Sequence, residues 1–271
     1  AFLMRDVWQA VDENDTFDTN GLDPDNTLFV IFHAGIGRDV ELTGTSLDIT
    51  PYDLPSISLN KKNLGELLDE PSFAGFGLNN DSFRVTNSML MPRTQSRRGV
   101  DISDNEIVFP LSINGLLCAS IGSYLGLPDL FNTSSGEPAI GRFALMDGAG
   151  FFAYNGLLPP EPSAWEKVFL GWETPFDVSI NEANAIQLPA VSLDQPNSIA
   201  KISLSATEYF LIENRHRDPN LPDAKSASVT ISTRDPETGQ INQKTFDNFD
   251  EDFIFLGSNF DELLDRGTIV D

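Results

Sequence analysis

With 271 residues, 40% of them hydrophobic and 10% aromatic, the chain has the composition of a folded body, either one large domain or two small ones, and not of a disordered segment. Its 41 acidic residues against 17 basic ones give a formal charge of -24, which repels nucleic acid and anionic membrane surfaces and suits a secreted or salt-exposed protein. No run approaches the roughly 18 to 20 apolar residues of a membrane span, the first residues do not read as a signal peptide, and the single Cys118 excludes an internal disulfide.

In chain order, Arg5 to Val11 reads as the tail of a helix, which suggests a processed or excised piece of a longer chain. Asp12 to Asn26 follows as a run of turn formers and oxygen donors. It does not meet the spacing D-x-[DN]-x-[DN]-G with a closing Glu, so a capped surface turn is expected there, with calcium binding as the alternative. Thr27 to Phe32 is continuous, apolar and β-branched or aromatic, the pattern of a buried central strand. It leads into His33-Ala34-Gly35-Ile36-Gly37, where G-x-G without a following G-K-[ST] is a weak phosphate-loop signal. His33 is either a site residue at the strand end or a hydrogen-bonded structural histidine.

Pro51 and Pro55 leave Leu47 to Ser56 as an extended edge or loop. Ile57-Ser58-Leu59 alternates like a short strand, and Leu64, Leu67 and Leu68 place a short helix over Asn63 to Asp69, ended before Pro71. Phe83 to Met91 is a strand that stops at Pro92. Arg93, Arg97 and Arg98 are the most concentrated positive charge in the chain, suited to an anionic ligand or an acidic tail, or to salt bridges with surrounding carboxylates.

From Ser112, residues Ile113, Leu116, Leu117, Ser120, Ile121, Tyr124 and Leu125 recur at threes and fours, which predicts a helix over about 112–126. It is apolar on nearly all sides, the signature of a buried helix, with Cys118 as a small packing residue. Asn132 to Glu137 is a polar loop. Pro159 to Pro162 forms a stiff turn, after which Ser163 caps a short helix to Leu170, with Trp165 and Trp172 as anchors onto the body. Beyond Pro175 the pattern changes to strands at Ala185 to Val191, Ile199 to Leu204 and Glu208 to Arg215, with His216 on an exposed polar segment. Ser228 to Ser232 and Ile241 to Phe246 flank Asp235-Pro236-Glu237-Thr238-Gly239 as a hairpin. Phe246 to Phe253 is an acidic aromatic loop, and the chain stops mid-strand at Gly267 to Asp271.

Several of these segments belong together. Leu125-Gly126-Leu127-Pro128-Asp129-Leu130-Phe131, Ala144-Leu145-Met146-Asp147-Gly148, Pro162-Ser163-Ala164-Trp165-Glu166-Lys167 and Leu170-Gly171-Trp172 follow one another in the order of a zinc-site segment. They resemble the immune inhibitor A family of secreted bacterial metallopeptidases, in which a helix H-E-x-x-H-x-x-G-L-P-D-L precedes a Met-turn and a P-S-x-W-x-K-x-x-L-G-W run. The H-A-G-x-G at His33 and the Y-x-L-x-E-N-R at Tyr209 to Arg215 are similar to the same family.

The resemblance implies an α/β fold with a metzincin-like mixed sheet, a buried former zinc-site helix and a Met-turn at about 144–148. It also implies a metallopeptidase-like unit over 1–176 and a β-rich C-terminal extension over 177–271. Laid on Gly126 and Asp129, the family pattern puts Ala119 and Ser123 where two histidines stand and Ser120 where the glutamate stands, with Asp129 as the third ligand. Residues at i and i+4 lie one above the other on a helix face, so two histidines there would aim both imidazoles at one zinc, with the Glu polarising its water. A methyl group has no lone pair to offer, and neutral hydroxyls are poor zinc donors and poor bases.

Met146 would form an apolar floor or simply pack the core, Tyr154 would hydrogen-bond a bound carbonyl, and His33 and Arg93 would border the cleft. The expected function is that of a pseudopeptidase without catalytic residues, its zinc lost and calcium possible. It would be extracellular or at the cell surface, and would hold a peptide, protein or glycan or serve as a scaffold in a larger assembly. The alternatives are an active peptidase with a non-standard site, which has only His33 and His216 to recruit, and a structural subunit of an extracellular layer.

Overall fold

The computed structural model describes residues 1–15, 17–40, 54–109, 111–147, 156, 159–179, 185–191, 195–215, 228–234, 238, 240–247 and 268–270. Helices and sheets are mixed along the chain, and contacts divide it into two compact units, Ala1–Tyr124 and Leu125–Asp271. That division falls inside the segment expected to form one metallopeptidase-like unit.

In the first unit, helix α1 (Phe2–Asn14) turns Met4 and Trp8 inward, one helical turn apart, and leaves Phe2 and Leu3 in solvent. Met4 and Trp8 join Phe29, Leu59, Leu64, Leu68, Phe76, Leu78, Val85 and Leu90 in one buried cluster. Trp8 stands edge-on to Phe29 at 5.6 Å and donates its Nε1–H to Ser88 Oγ at 3.1 Å, so the indole is buried with its polar atom satisfied. Helix α2 (Lys61–Leu68) is capped by Asn60, whose side chain accepts from Asn63 N at 2.9 Å. It contributes Leu64, 0% exposed, to the cluster. Leu64→Ala is expected to cost about 2–5 kcal/mol, read as a lowered urea midpoint, because the surrounding side chains cannot collapse fully into the space left.

The sheet beside this core runs β1 (Val30–Ile36), β5 (Asn87–Thr94), β2 (Ile57–Asn60), with β1 parallel and β2 antiparallel to β5. The buried central strand is therefore β5, and the Thr27 to Phe32 run instead feeds an edge strand of this described sheet, with Phe32 55% exposed. An apolar run marks burial somewhere along a segment, and here the burial is concentrated at Phe29, before the strand starts. The Asn87 amide fixes that entry, accepting from Phe29 N at 3.1 Å and donating to Thr27 O at 2.8 Å. The strand expected to end before Pro92 continues through it. Beyond Leu90 the β2 partner has stopped, so the missing N–H of Pro92 forfeits no bond on that side.

Two hairpins complete the unit, β3 (Phe76–Leu78) with β4 (Phe83–Val85) and β6 (Arg97–Val100) with β7 (Glu106–Phe109). At the β6–β7 turn, the Asp101 carboxylate accepts from Asn105 Nδ2 and N, both at 3.0 Å, and from Ser103 N at 2.7 Å. These bonds, the Asn105 side chain first, hold the Asp101 pKa below its ordinary value. A depressed carboxylate stabilises the turn above the ordinary aspartate pKa and stops doing so as pH falls through the folded value. The Ser103 and Asn105 amide resonances are thus expected to shift together in that more acidic window, and a transition at or above the ordinary aspartate value would contradict the assignment.

Helix α3 (Asn114–Tyr124) closes the first unit. It was expected to be buried, yet only Gly115 and Gly122 are. Apolar side chains lie on nearly all its sides, and Ile121 stays 37% exposed. Cys118 is half-buried, and burial pushes its thiol pKa up.

In the second unit, α4 (Ala164–Phe169) precedes a sheet of order β10 (Tyr209–Glu213), β9 (Ile199–Ser203), β8 (Phe176–Val178). Residues 185–191 were expected to form a strand but among the described residues make one bridge, Ala190 to Asn214. The Asn214 side chain fastens this segment by donating to Leu188 O at 2.9 Å, which substitutes for a ladder. The expected hairpin is present as β11 (Ser228–Arg234) antiparallel to β12 (Ile241–Asp247), with β13 (Thr268–Val270) parallel to β11.

Candidate functional site

On α3, Ala119 and Ser123 stand one turn apart, the spacing of a two-imidazole metal face. The Ser123 hydroxyl donates to Ala119 O at 3.3 Å, so it is turned onto its own helix backbone. Ser120 is half-buried between them. Gly126 follows at φ 97, a left-handed conformation that lets the chain turn out of the helix, as the G-L-P-D-L pattern requires. The division between the units falls at Tyr124, so these helix positions belong to the first unit and Asp129 and Met146 to the second.

Within the second unit, Asp129 is exposed, and the next residue, Leu130, donates its N–H to Met146 O at 3.1 Å. This joins the Asp129 turn to the Met146 turn. Met146 is 2% exposed, with Ala144 and Leu145 buried beside it. Asp147, fully buried, accepts from the backbone N–H of Ile140 and of Gly141, each at 2.6 Å, and so ties down the loop before the turn.

The P-S-x-W-E-K run organises what surrounds the Met-turn. Ser163 and Glu166 form a capping box at the start of α4, the Ser163 hydroxyl accepting from Glu166 N at 3.3 Å and the Glu166 carboxylate accepting from Ser163 N. The other carboxylate oxygen of Glu166 accepts from Met146 N at 2.9 Å. One fully buried side chain thus fastens the helix start and the Met146 turn to each other. Sequence reading had assigned Glu166 no role, although its place three residues after Ser163 is the capping-box signal.

Lys167 points the other way, its Nζ 2.9 Å from Glu161 Oε1 and 3.6 Å from Glu213 Oε2, with its side chain 9% exposed. Arg215 pairs with Glu213 at 2.8 Å and donates to Pro162 O at 3.1 Å. The K of the P-S-x-W-x-K run and the E and R of the Y-x-L-x-E-N-R strand therefore meet in one largely buried cluster of two cations and two anions. The expected anchors are reversed. Buried Ser163, Ala164, Glu166 and Lys167 seat α4, while Trp172 is 58% exposed and Trp165 is only half-buried, stacked on the 54% exposed Phe169. An amphipathic helix this short has room for one buried stripe, and the polar network occupies it.

In the first unit, His33 is half-buried on β1, opposite Pro92. Its Nδ1 accepts from Gly35 N at 3.1 Å, and its Nε2 is buried with no hydrogen-bond partner among the described residues. The Nδ1 lone pair is therefore engaged by its own strand. The second glycine of H-A-G-x-G serves packing, not phosphate: a Cβ on Gly37 would collide with Gln95 Nε2 and come within 2.7 Å of Pro92 Cγ. The three arginines do not converge on a ligand. Arg97 is 2% exposed and donates to Gln95 O at 2.7 Å, Gly37 O at 2.8 Å and Val40 O at 3.0 Å, whereas Arg93 and Arg98 are exposed. Asp39 accepts from Ser56 N at 2.7 Å, from Ser56 Oγ at 2.9 Å and from Gln95 Nε2, completing this structural corner.

The acidic run after α1 lines an open polar depression of about 360 Å³ with Asp15, Asp18, Thr19, Asn20 and Asn79. Asp12 accepts there from Asn79 N at 2.8 Å, and Asn79 donates to Thr19 Oγ1 at 2.7 Å, so the run is a turn pinned to the β3–β4 hairpin. Among the described residues no three His, Cys, Asp or Glu side chains are grouped to hold a metal. Tyr154, His216, Gly148 of the Met-turn and the Leu47 to Asp53 part of the proline-containing loop lie outside the described residues. No helix among those described is long and apolar enough to cross a membrane. No family model matches the chain, and no curated protein or solved structure matches it either.

Proposed function

We propose that the chain is a catalytically inactive metallopeptidase homologue of the immune inhibitor A type, extracellular or at the cell surface, acting as a binding or scaffold module for a peptide, protein or glycan. The observation that carries this reading is a retained frame without donors. Met146 is buried and bonded to Glu166, and Lys167, Glu213 and Arg215 lock the flanking segments together. The helix positions that the resemblance assigns to metal chemistry hold Ala119, Ser120 and Ser123, and the Ser123 hydroxyl is turned onto its own backbone.

The purified protein is expected to carry substoichiometric zinc by elemental analysis after equilibration with zinc and dialysis, and to leave casein uncut. One zinc per chain together with casein cleavage would overturn the proposal. Cleavage without zinc that disappears when His33 and His216 are both replaced by alanine would point instead to a non-standard site, since these are the only two histidines.

A further inference from the structure

We draw no further inference here: the strongest candidate, the apolar face of the β8–β10 sheet on which Phe210 and Ile212 lie 59% and 43% exposed beside Ile202, is unpartnered among the described residues, and nothing in the structure shows what covers it.

Discussion

Lys167→Ala is expected to lower the unfolding free energy by about 1–3 kcal/mol, less than the loss typical of removing one member of a fully buried ion pair, because the Glu161 and Glu213 side chains are 24% and 15% exposed. The Lys167 ammonium lies 2.9 Å from Glu161 and 3.6 Å from Glu213, with its side chain 9% exposed. Without it Glu161 is left half-buried without that partner, and Glu213 loses one of the two cations beside it while its 2.8 Å pair with Arg215 remains. The loss should show as a lower urea midpoint followed by tryptophan fluorescence, to which Trp165 and Trp172 of the same unit contribute. Lys62→Ala is the matched control, because its pair with Glu66 is 3.7 Å long with side chains 81% and 61% exposed, and such pairs contribute little. Equal midpoints for the two variants would remove the buried cluster from the account. A double variant, Lys167→Met with Glu161→Gln, should recover part of the loss, since apolar and neutral replacements leave less uncompensated charge.

Glu166→Ala is expected to cost about 2–5 kcal/mol, because it strands two buried backbone donors, Met146 N and Ser163 N, each of which costs about 1–3 kcal/mol when left unsatisfied. Glu166→Gln should fall between this variant and wild type: its amide oxygen can serve one donor, while its NH2 group meets the other donor head-on. Ser163→Ala should lose only about 1 kcal/mol, the usual value of an N-cap side chain. The order Ala, then Gln, then the Ser163 variant is the test by chemical denaturation. A Glu166→Ala loss no greater than that of Ser163→Ala would mean that Glu166 caps the helix without holding the Met-turn.

These two residues show where sequence reading stopped. The i, i+3 relation between Ser163 and Glu166 was visible, and so was the cap. That the same carboxylate also accepts from Met146, twenty residues earlier, was not, because no local pattern encodes which backbone donor a loop will present. The helices at α2 and α3 and the β11–β12 hairpin followed from periodicity and turn chemistry, whereas the segment read as a helix tail at Arg5 to Val11 lies within a whole helix from Phe2 to Asn14. The central strand did not, since an apolar run before His33 and another before Pro92 are equivalent until one of them acquires neighbours on both sides. Exposure was misread for the same reason at α3 and Trp172: a hydrophobic residue reports a capacity for burial, and only packing decides whether it is used.

The sequence by itself determined which atoms are available: no imidazole or carboxylate at positions 119, 120 and 123, two histidines in all, and an acidic excess of 24 charges. Side-chain identity sets donor chemistry wherever the chain folds. The tertiary structure alone decided that Lys167 meets Glu213, that Arg97 is spent on backbone carbonyls and that Glu166 grips the backbone at Met146. Those pairings join residues far apart in the chain, and the cost of bringing them together is met only by the packing of whole elements.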